Sequence, residues 1–356
     1  MVQLILTRYL YSVDEVFHSL LLSLIKKKSF QKSLFWLSEL YYSKFYLLLW
    51  KFVWQTYYDF YAVTNPKFEK YISKCNKNWE KKNNIEEFVN VINILYYATS
   101  ITNTVFTLRT KKCLAPNKIY TKKRKWMKDF KNLTKKEYIF IRSLHNKKIK
   151  DINFYFHQIQ KDFKRCDTII KKYRDLKQEK TKLFKYDNKY YGDKQHIILS
   201  SICCLINTDD KVNKRLIKKK INSEDIEFVR KSDIIVEPIR KTLLLKREFS
   251  IDVESGFLNN DRPKKYQENF WYHWEYYTQN CPLWDERFKK YKCGFDDAKK
   301  EPVFLNDDDL EDFYEKFGYE PDEQTKNCQM KSLLKLESNT IIDILKDFKN
   351  KKYLKR

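Results

Sequence analysis

The chain has 356 residues, with 72 Lys and Arg against 47 Asp and Glu, a formal net charge of +25 at neutral pH. Hydrophobic residues make up 42% and aromatics 17%, enough to build cores, so a wholly disordered chain is excluded. Gly occurs only 4 times. Because Gly supplies positive φ and the close backbone approach that phosphate-cradling loops need, nucleotide-binding α/β folds and turn-rich β-sandwiches are disfavoured. The expected class is mostly α: a multi-helix bundle or irregular helical array with one long amphipathic helix and at most a small β-hairpin. At this length more than one packed unit is expected, and composition suggests four segments, 1–108, 109–195, 196–292 and 293–356.

Residues 1–108 read as helices joined by short connections. Ser12 and Glu15 have the spacing of a capping box, followed by an apolar run from Val16 to Ile25 that stops at Lys26, Lys27 and Lys28. Leu34 to Tyr42 is the next helix. Leu47, Trp50, Trp54, Tyr57 and Tyr61 then follow at steps of 3 and 4, which predicts one buried aromatic stripe. Asn65-Pro66 marks the start of a further helix, and Asn84 with Glu87 a second capping box ahead of Phe88, Ile92, Leu95 and Thr99. The uncharged run from Asn90 to Leu108 contains eight polar residues, too many for a membrane span.

From Arg109 to Lys150 there are 16 Lys and Arg against 2 acids, a net +14. Pro116 and the run Lys122–Lys125 indicate a loop, and Thr134 with Glu137 a capped helix start. Ile149, Ile152, Phe156, Ile159, Phe163, Cys166, Ile170 and Tyr173 then keep helical spacing without a break, which predicts one long amphipathic helix of roughly 36 Å. Its stripe needs a partner surface, within the chain or on a second copy, so self-association through Ile149–Tyr173 is one expectation. His196 to Ile206 is an apolar block. Ser223 is positioned to cap a short helix, and Phe249, Ile251 and Val253 before Gly256 suggest the hairpin. Gly294 to Glu323 reverses the charge, with 12 acids against 3 Lys, and the chain ends basic.

Chemistry-bearing motifs are few. The four Gly are isolated, so neither a phosphate loop nor a nucleophile elbow is present. His273, Cys281, Cys293 and Cys328 lack the close ligand pairs of a zinc site, and Asp307–Asp309 read as the first turn of a helix capped by Asn306 rather than as a calcium loop. No metal, cofactor or catalytic residue is nominated; His145, His157 and His196 remain as acid/base side chains with no visible triad. Eight scattered Cys without a recognisable leader suggest free thiols in a reducing compartment. The candidate site is a basic, aromatic-bearing stretch, Tyr120, Lys122, Lys123, Arg124, Lys125, Trp126 and Lys128, extended by Lys147, Lys148, Lys214 and Arg215. There cations meet phosphates and Tyr120 and Trp126 offer rings to exposed bases. A localisation signal or a solvated loop has the same composition, and an A/T-biased genome raises Lys without any partner.

Residues 13–46, with DFYAVTNPKFEKYI at 59–72 and DLEDFYEKFGYEPDEQ at 309–324, resemble an uncharacterised protein family of giant nucleocytoplasmic large DNA viruses. A second similarity, through Leu34–Leu40, Asp59 and Asn65-Pro66, is to the helical collar of clamp-loader-like ATPases, without the ATPase module. The first resemblance implies a virion or viral-factory location and carries no activity with it. The expected function is a non-enzymatic viral protein that binds DNA or RNA backbone, or viral proteins, through a basic surface. A minor capsid component, or an accessory subunit of a viral replication or transcription enzyme, is the alternative.

Overall fold

A computed structural model describes residues 5–27, 29–110, 125–127, 130, 132–181, 183–185, 187–207, 211–213, 215–216, 218–232 and 273–317. Among these the chain is mostly helical, with α1 (Val13–Lys26), α2 (Phe30–Tyr42), α3 (Tyr46–Thr56), α4 (Phe68–Lys82), α5 (Glu86–Tyr96) and α6 (Thr104–Thr110) in the first third. There follow α7 (Lys135–His145), α8 (Ile149–Ile159), α9 (Phe163–Leu176), α10 (Lys194–Ile206) and α11 (Ser223–Lys231). The last described stretch holds α12 (Trp274–Thr278), α13 (Pro282–Lys290), a hairpin of β1 (Gly294–Asp296) and β2 (Glu301–Val303), and α14 (Asp307–Phe317). The strands are antiparallel, Phe295 opposite Pro302. They stand where the sequence analysis placed an acidic segment, whereas the hairpin expected at Phe249–Gly256 lies outside the described residues. No described helix is long and apolar enough to cross a membrane.

The contacts divide the chain into two units that are discontinuous in sequence. Unit 1 takes Met1–Phe52, Asn78–Tyr96 and Lys219–Tyr353; unit 2 takes Val53–Lys77, Tyr97–Lys218 and Leu354–Arg356. In unit 1, α1 packs on α2 and both pack on α5. Phe17 stacks on Phe52 at 5.0 Å, and Trp50 sits 4.3 Å from Phe88. In the same unit Trp284 Nε1 donates to Thr7 O at 3.3 Å, and Phe288 stacks on Phe313 at 5.2 Å. In unit 2, α10 is the central element and touches α6, α7 and α9.

The local start signals vary in outcome. Thr134 and Glu137 form the complete capping box: Thr134 N donates to Glu137 Oε2 at 2.8 Å, and Glu137 N to Thr134 Oγ1 at 3.3 Å. Asp309 N donates to Asn306 Oδ1 at 2.7 Å, so Asn306 caps α14 as expected. Ser12 is the N-cap of α1, but its side chain makes no cap bond; its backbone instead bridges to Leu6. At Asn84 the side chain accepts from Glu86 N at 3.0 Å, while Glu87 accepts from Asn78 Nδ2, so the reciprocal box is absent.

The single long helix expected over Ile149–Tyr173 is two helices. Asp162 draws its side chain back to Arg165 N at 2.8 Å, a local bond that competes with helix continuation and starts α9 afresh. Part of the stripe survives the break: Ile152, Phe156, Cys166, Ile170 and Tyr173 are buried, Ile159 and Phe163 beside the break are half-buried, and Ile149 is 48% exposed. Its cover comes from inside unit 2, where α7 packs on α8 and α10 on α9. The buried part of the seam is therefore covered within the chain.

The aromatic stripe of α3 is also shifted. Trp50, Trp54, Tyr57 and Tyr61 are buried, but Leu47 is 81% exposed, while Leu49, off the predicted stripe, is fully buried. Leu47 lies in the first turn, one residue around from Tyr46, whose ring meets Trp79 at 5.6 Å. Leu49→Ala should therefore cost about 2–5 kcal/mol and Leu47→Ala less than about 0.5 kcal/mol in urea unfolding. Equal losses would place the helix in the wrong rotation.

Candidate nucleic-acid interface

Unit 2 contains the basic stretch, and its helices are fastened by one buried cluster. After α3 the backbone opens into a π-turn, Tyr57–Tyr61, closed by Ala62 N donating to Tyr57 O at 2.9 Å. All five of its residues are buried, so the turn is enclosed on every side. The single carboxylate in it, Asp59, meets a fixed guanidinium fork: Arg109 Nε donates to Oδ1 at 3.0 Å and Nη2 to Oδ2 at 2.7 Å. His196 Nε2 also lies 3.0 Å from Oδ1, off the line of a well-aligned hydrogen bond. Tyr191 Oη is 2.8 Å from His196 Nδ1, and its ring stacks on Tyr58 at 5.3 Å.

Burial alone would raise the pKa of Asp59, but His196 and Arg109 outweigh it and hold the carboxyl below its usual range. The Tyr191 hydroxyl is pushed up by burial and by the Asp193 and Asp59 carboxylates. Asp59, His196 and Tyr191 are all buried. The cluster fastens the π-turn, α6 and α10 together. His196 is one of the acid/base side chains noted in the sequence, whereas Asp59 enters there only through the collar similarity and Arg109 only as the start of the basic stretch. The available signal was a lone acid inside the apolar run Phe52–Val63.

The surface of unit 2 follows from what its other carboxylates do. Glu137 closes the α7 cap and accepts from Arg165 Nε at 2.8 Å. Asp162 caps α9 and Asp193 caps α10, the latter through His196 N at 2.9 Å. Asp167 pairs with Lys171 and Asp175 with Arg174. With these acids engaged locally, Lys147, Lys150, Lys161, Lys164, Lys180 and Lys185 are exposed and have no carboxylate partner among the described residues.

Of the predicted site residues, Lys147 and Lys148 are exposed in the turn between α7 and α8, and Arg215 is exposed near the end of the unit. Trp126 lies in a short 3-10 turn, Lys125–Met127, and is half-buried. Its ring is 4.6 Å from His145 and 6.4 Å from Tyr173, with Lys177 Nζ 4.9 Å above it. That ring is already in use as packing, which leaves it a smaller face for a base than its sequence context implied. Lys125 falls in the same turn. Tyr120, Lys122, Lys123, Arg124, Lys128 and Lys214 lie outside the described residues. Among the described residues no His, Cys, Asp and Glu side chains gather as a metal site would require; Cys281 is buried and Cys293 half-buried, both as free thiols.

No protein-family model, curated protein or solved structure matches the chain.

Asp59→Asn keeps the shape of the side chain and removes its charge, leaving Arg109 without its counter-ion. It should cost about 3–5 kcal/mol in chemical unfolding. Because the folded carboxyl titrates below its unfolded value, its stabilisation is complete above the unfolded pKa and is lost as pH falls through the folded one. The variant should lack that acid-side component; an unchanged acid limb in Asp59→Asn would assign it to other groups.

Proposed function

We propose that the protein is a non-enzymatic binder of nucleic-acid backbone, acting through the basic surface of unit 2 without sequence preference. The observation that supports this most is the asymmetry just described: Glu137, Asp162, Asp167, Asp175 and Asp193 are engaged in caps and ion pairs. Asp151, Glu179 and Asp187 stand without a cation partner among the described residues, and the exposed lysines outnumber those three. Lys147 and Lys150 mark one end of α8 and Lys161 and Lys164 the other. An 11-residue helix separates the two groups by about 16 Å, a distance that spans several phosphates of a duplex. The further run Lys122–Lys125 belongs to the same segment of sequence and adds to the same charge. Recognition of this kind reads charge and spacing, since no base-reading motif accompanies it. The resemblance of residues 13–46, 59–72 and 309–324 to a giant-virus family is the reason to place the role among genome-associated factors, in the virion or the viral factory.

Fluorescence anisotropy with the full chain and labelled single- and double-stranded oligonucleotides tests this. Affinity should be nearly indifferent to sequence and should fall at least tenfold between about 50 and 200 mM salt. Replacing Lys147, Lys150, Lys161 and Lys164 together by Glu should weaken binding and flatten its salt slope. Absence of binding at low salt, or binding that ignores salt or the charge reversal, would remove the proposal.

A further inference from the structure

Unit 1 contains a cavity of about 490 Å³, within the range occupied by drug-sized ligands. Two guanidinium groups line it. Arg8 is almost wholly buried, its ring neighbours being Tyr9 at 4.6 Å and Tyr42 at 5.0 Å. Its Nε donates to Glu39 Oε2 at 3.1 Å, and the other oxygen of Glu39 is taken by Tyr9 N, also at 3.1 Å. Nη1 and Nη2 of Arg8 thus have no acceptor among the described residues. Arg287 is further from satisfied: it has no hydrogen bond or carboxylate partner among the described residues and lies over Trp284 at 4.5 Å and Phe317 at 4.4 Å.

Arg8 is buried and Arg287 half-buried, so both present guanidinium donors at the cavity wall that no acceptor among the described residues takes up. Burial lowers the Arg287 guanidinium to about 10, Cys281 opposing this and Arg8 adding to it. The two cations are therefore close enough to repel, and Arg8 has the buried carboxylate of Glu39 as its partner. An anion in the cavity would meet both forks and relieve that repulsion. Arginine forks match phosphate oxygens in pairs, which a lysine cannot do.

The rest of the wall adds a second requirement. Tyr41, Tyr42 and Tyr46 line the same cavity. Two of the rings are held in place through their hydroxyls: Tyr41 Oη donates to Asn83 O at 2.6 Å and Tyr42 Oη to Val229 O at 3.0 Å. Asn84 supplies polar atoms on the wall, and Lys44, paired with Glu286, stands half-exposed at the edge. The volume exceeds what a bare phosphate fills; Tyr41 is buried and packed against Tyr42, Tyr46 and Phe88, so the half-buried rings of Tyr42 and Tyr46 are what a flat ring would meet.

We infer that this cavity binds a phosphate monoester attached to a nucleobase, the phosphate held between Arg8 and Arg287 and the base against the tyrosines. The same chemistry is presented by a free nucleoside monophosphate and by the 5′-phosphorylated end of a strand. This site is in unit 1 and does not rest on the proposed surface of unit 2.

Thermal shift and calorimetry on the full chain, with AMP, GMP, CMP and UMP at about millimolar concentration, are the test. At least one should raise the melting temperature by about 2 °C or more, with adenosine giving no shift and inorganic phosphate a smaller one. Arg287→Gln orphans no partner, so it should fold, and it should weaken mononucleotide binding at least tenfold. Tyr46→Ala should weaken the mononucleotide and leave inorganic phosphate unchanged. At salt high enough to abolish the unit 2 contact, a 5′-phosphorylated oligonucleotide that outbinds its 5′-hydroxyl twin in an Arg287-dependent way identifies a strand end as the ligand; equal weak binding of the twins identifies the free mononucleotide. No shift with any mononucleotide, an unchanged shift in Arg287→Gln, or an equal response to inorganic phosphate would overturn the inference.

Discussion

Each unit holds a carboxylate–guanidinium contact built on a fully buried carboxylate, and the two differ in how completely the fork is satisfied. In unit 2 the fork is closed: Arg109 places Nε on one oxygen of Asp59 and Nη2 on the other. Neither partner has much left to offer, and breaking the pair would strand a charge in a dry interior. In unit 1 the contact is open. Glu39 gives Arg8 one oxygen and its own backbone neighbour, Tyr9 N, the other. The same chemistry thus yields a fastener in one place and a cation with unused donors in the other. Satisfying the buried charge completely favours rigidity, and satisfying it in part leaves a position for a ligand.

The large positive charge acquires meaning only through this distribution of carboxylates. A surplus of 25 cations could come from codon bias alone, and net charge by itself says little about fold or partner. What matters in unit 2 is that Glu137, Asp162 and Asp193 serve helix starts, and Asp167 and Asp175 adjacent cations. Those roles fix the acids in place for reasons of local structure. The lysines, with long and entropically costly side chains, gain little by following them and remain in water.

How much of this could be read in the sequence depended on the range of the interaction. The capping box at Thr134 and Glu137 and the cap at Asn306 involve residues three apart, and both are in the structure. Scarce Gly and helical spacing were enough for the mostly-α class. Periodicity located the buried face of α8 and α9, yet it could not register that Asp162 would turn its carboxylate back onto Arg165 N and divide the helix. It chose Leu47 over Leu49 because α3 is apolar on nearly every side, so that spacing alone does not select the packed face. The fastener in unit 2 joins residues 50 and 137 positions apart in sequence, and the pair in unit 1 joins residues 31 apart. Nothing local marks such partners except an isolated acid within an aromatic run, which is how Asp59 stands in the sequence. The cavity in unit 1 was invisible for the same reason, since its walls come from three separate stretches of chain.

The two anion-binding surfaces would respond to solution conditions in opposite ways, for reasons that follow from burial. Lysines at the ends of α8 act across water, where attraction fades within about a Debye length and competes with every dissolved ion. Their contribution grows with the number of phosphates engaged and is indifferent to what the phosphates are attached to. Arg8 is buried and Arg287 half-buried, so contacts to them would be less screened than those at the lysines, and the tyrosine wall would make the fit depend on the shape of the bound molecule. Salt would therefore separate the two proposed sites, the surface of unit 2 acting through proximity and the cavity of unit 1 through discrimination. A chain that carries both would first concentrate at a polyanion and then select among the nucleotides it finds there, with neither step requiring the other to be strong.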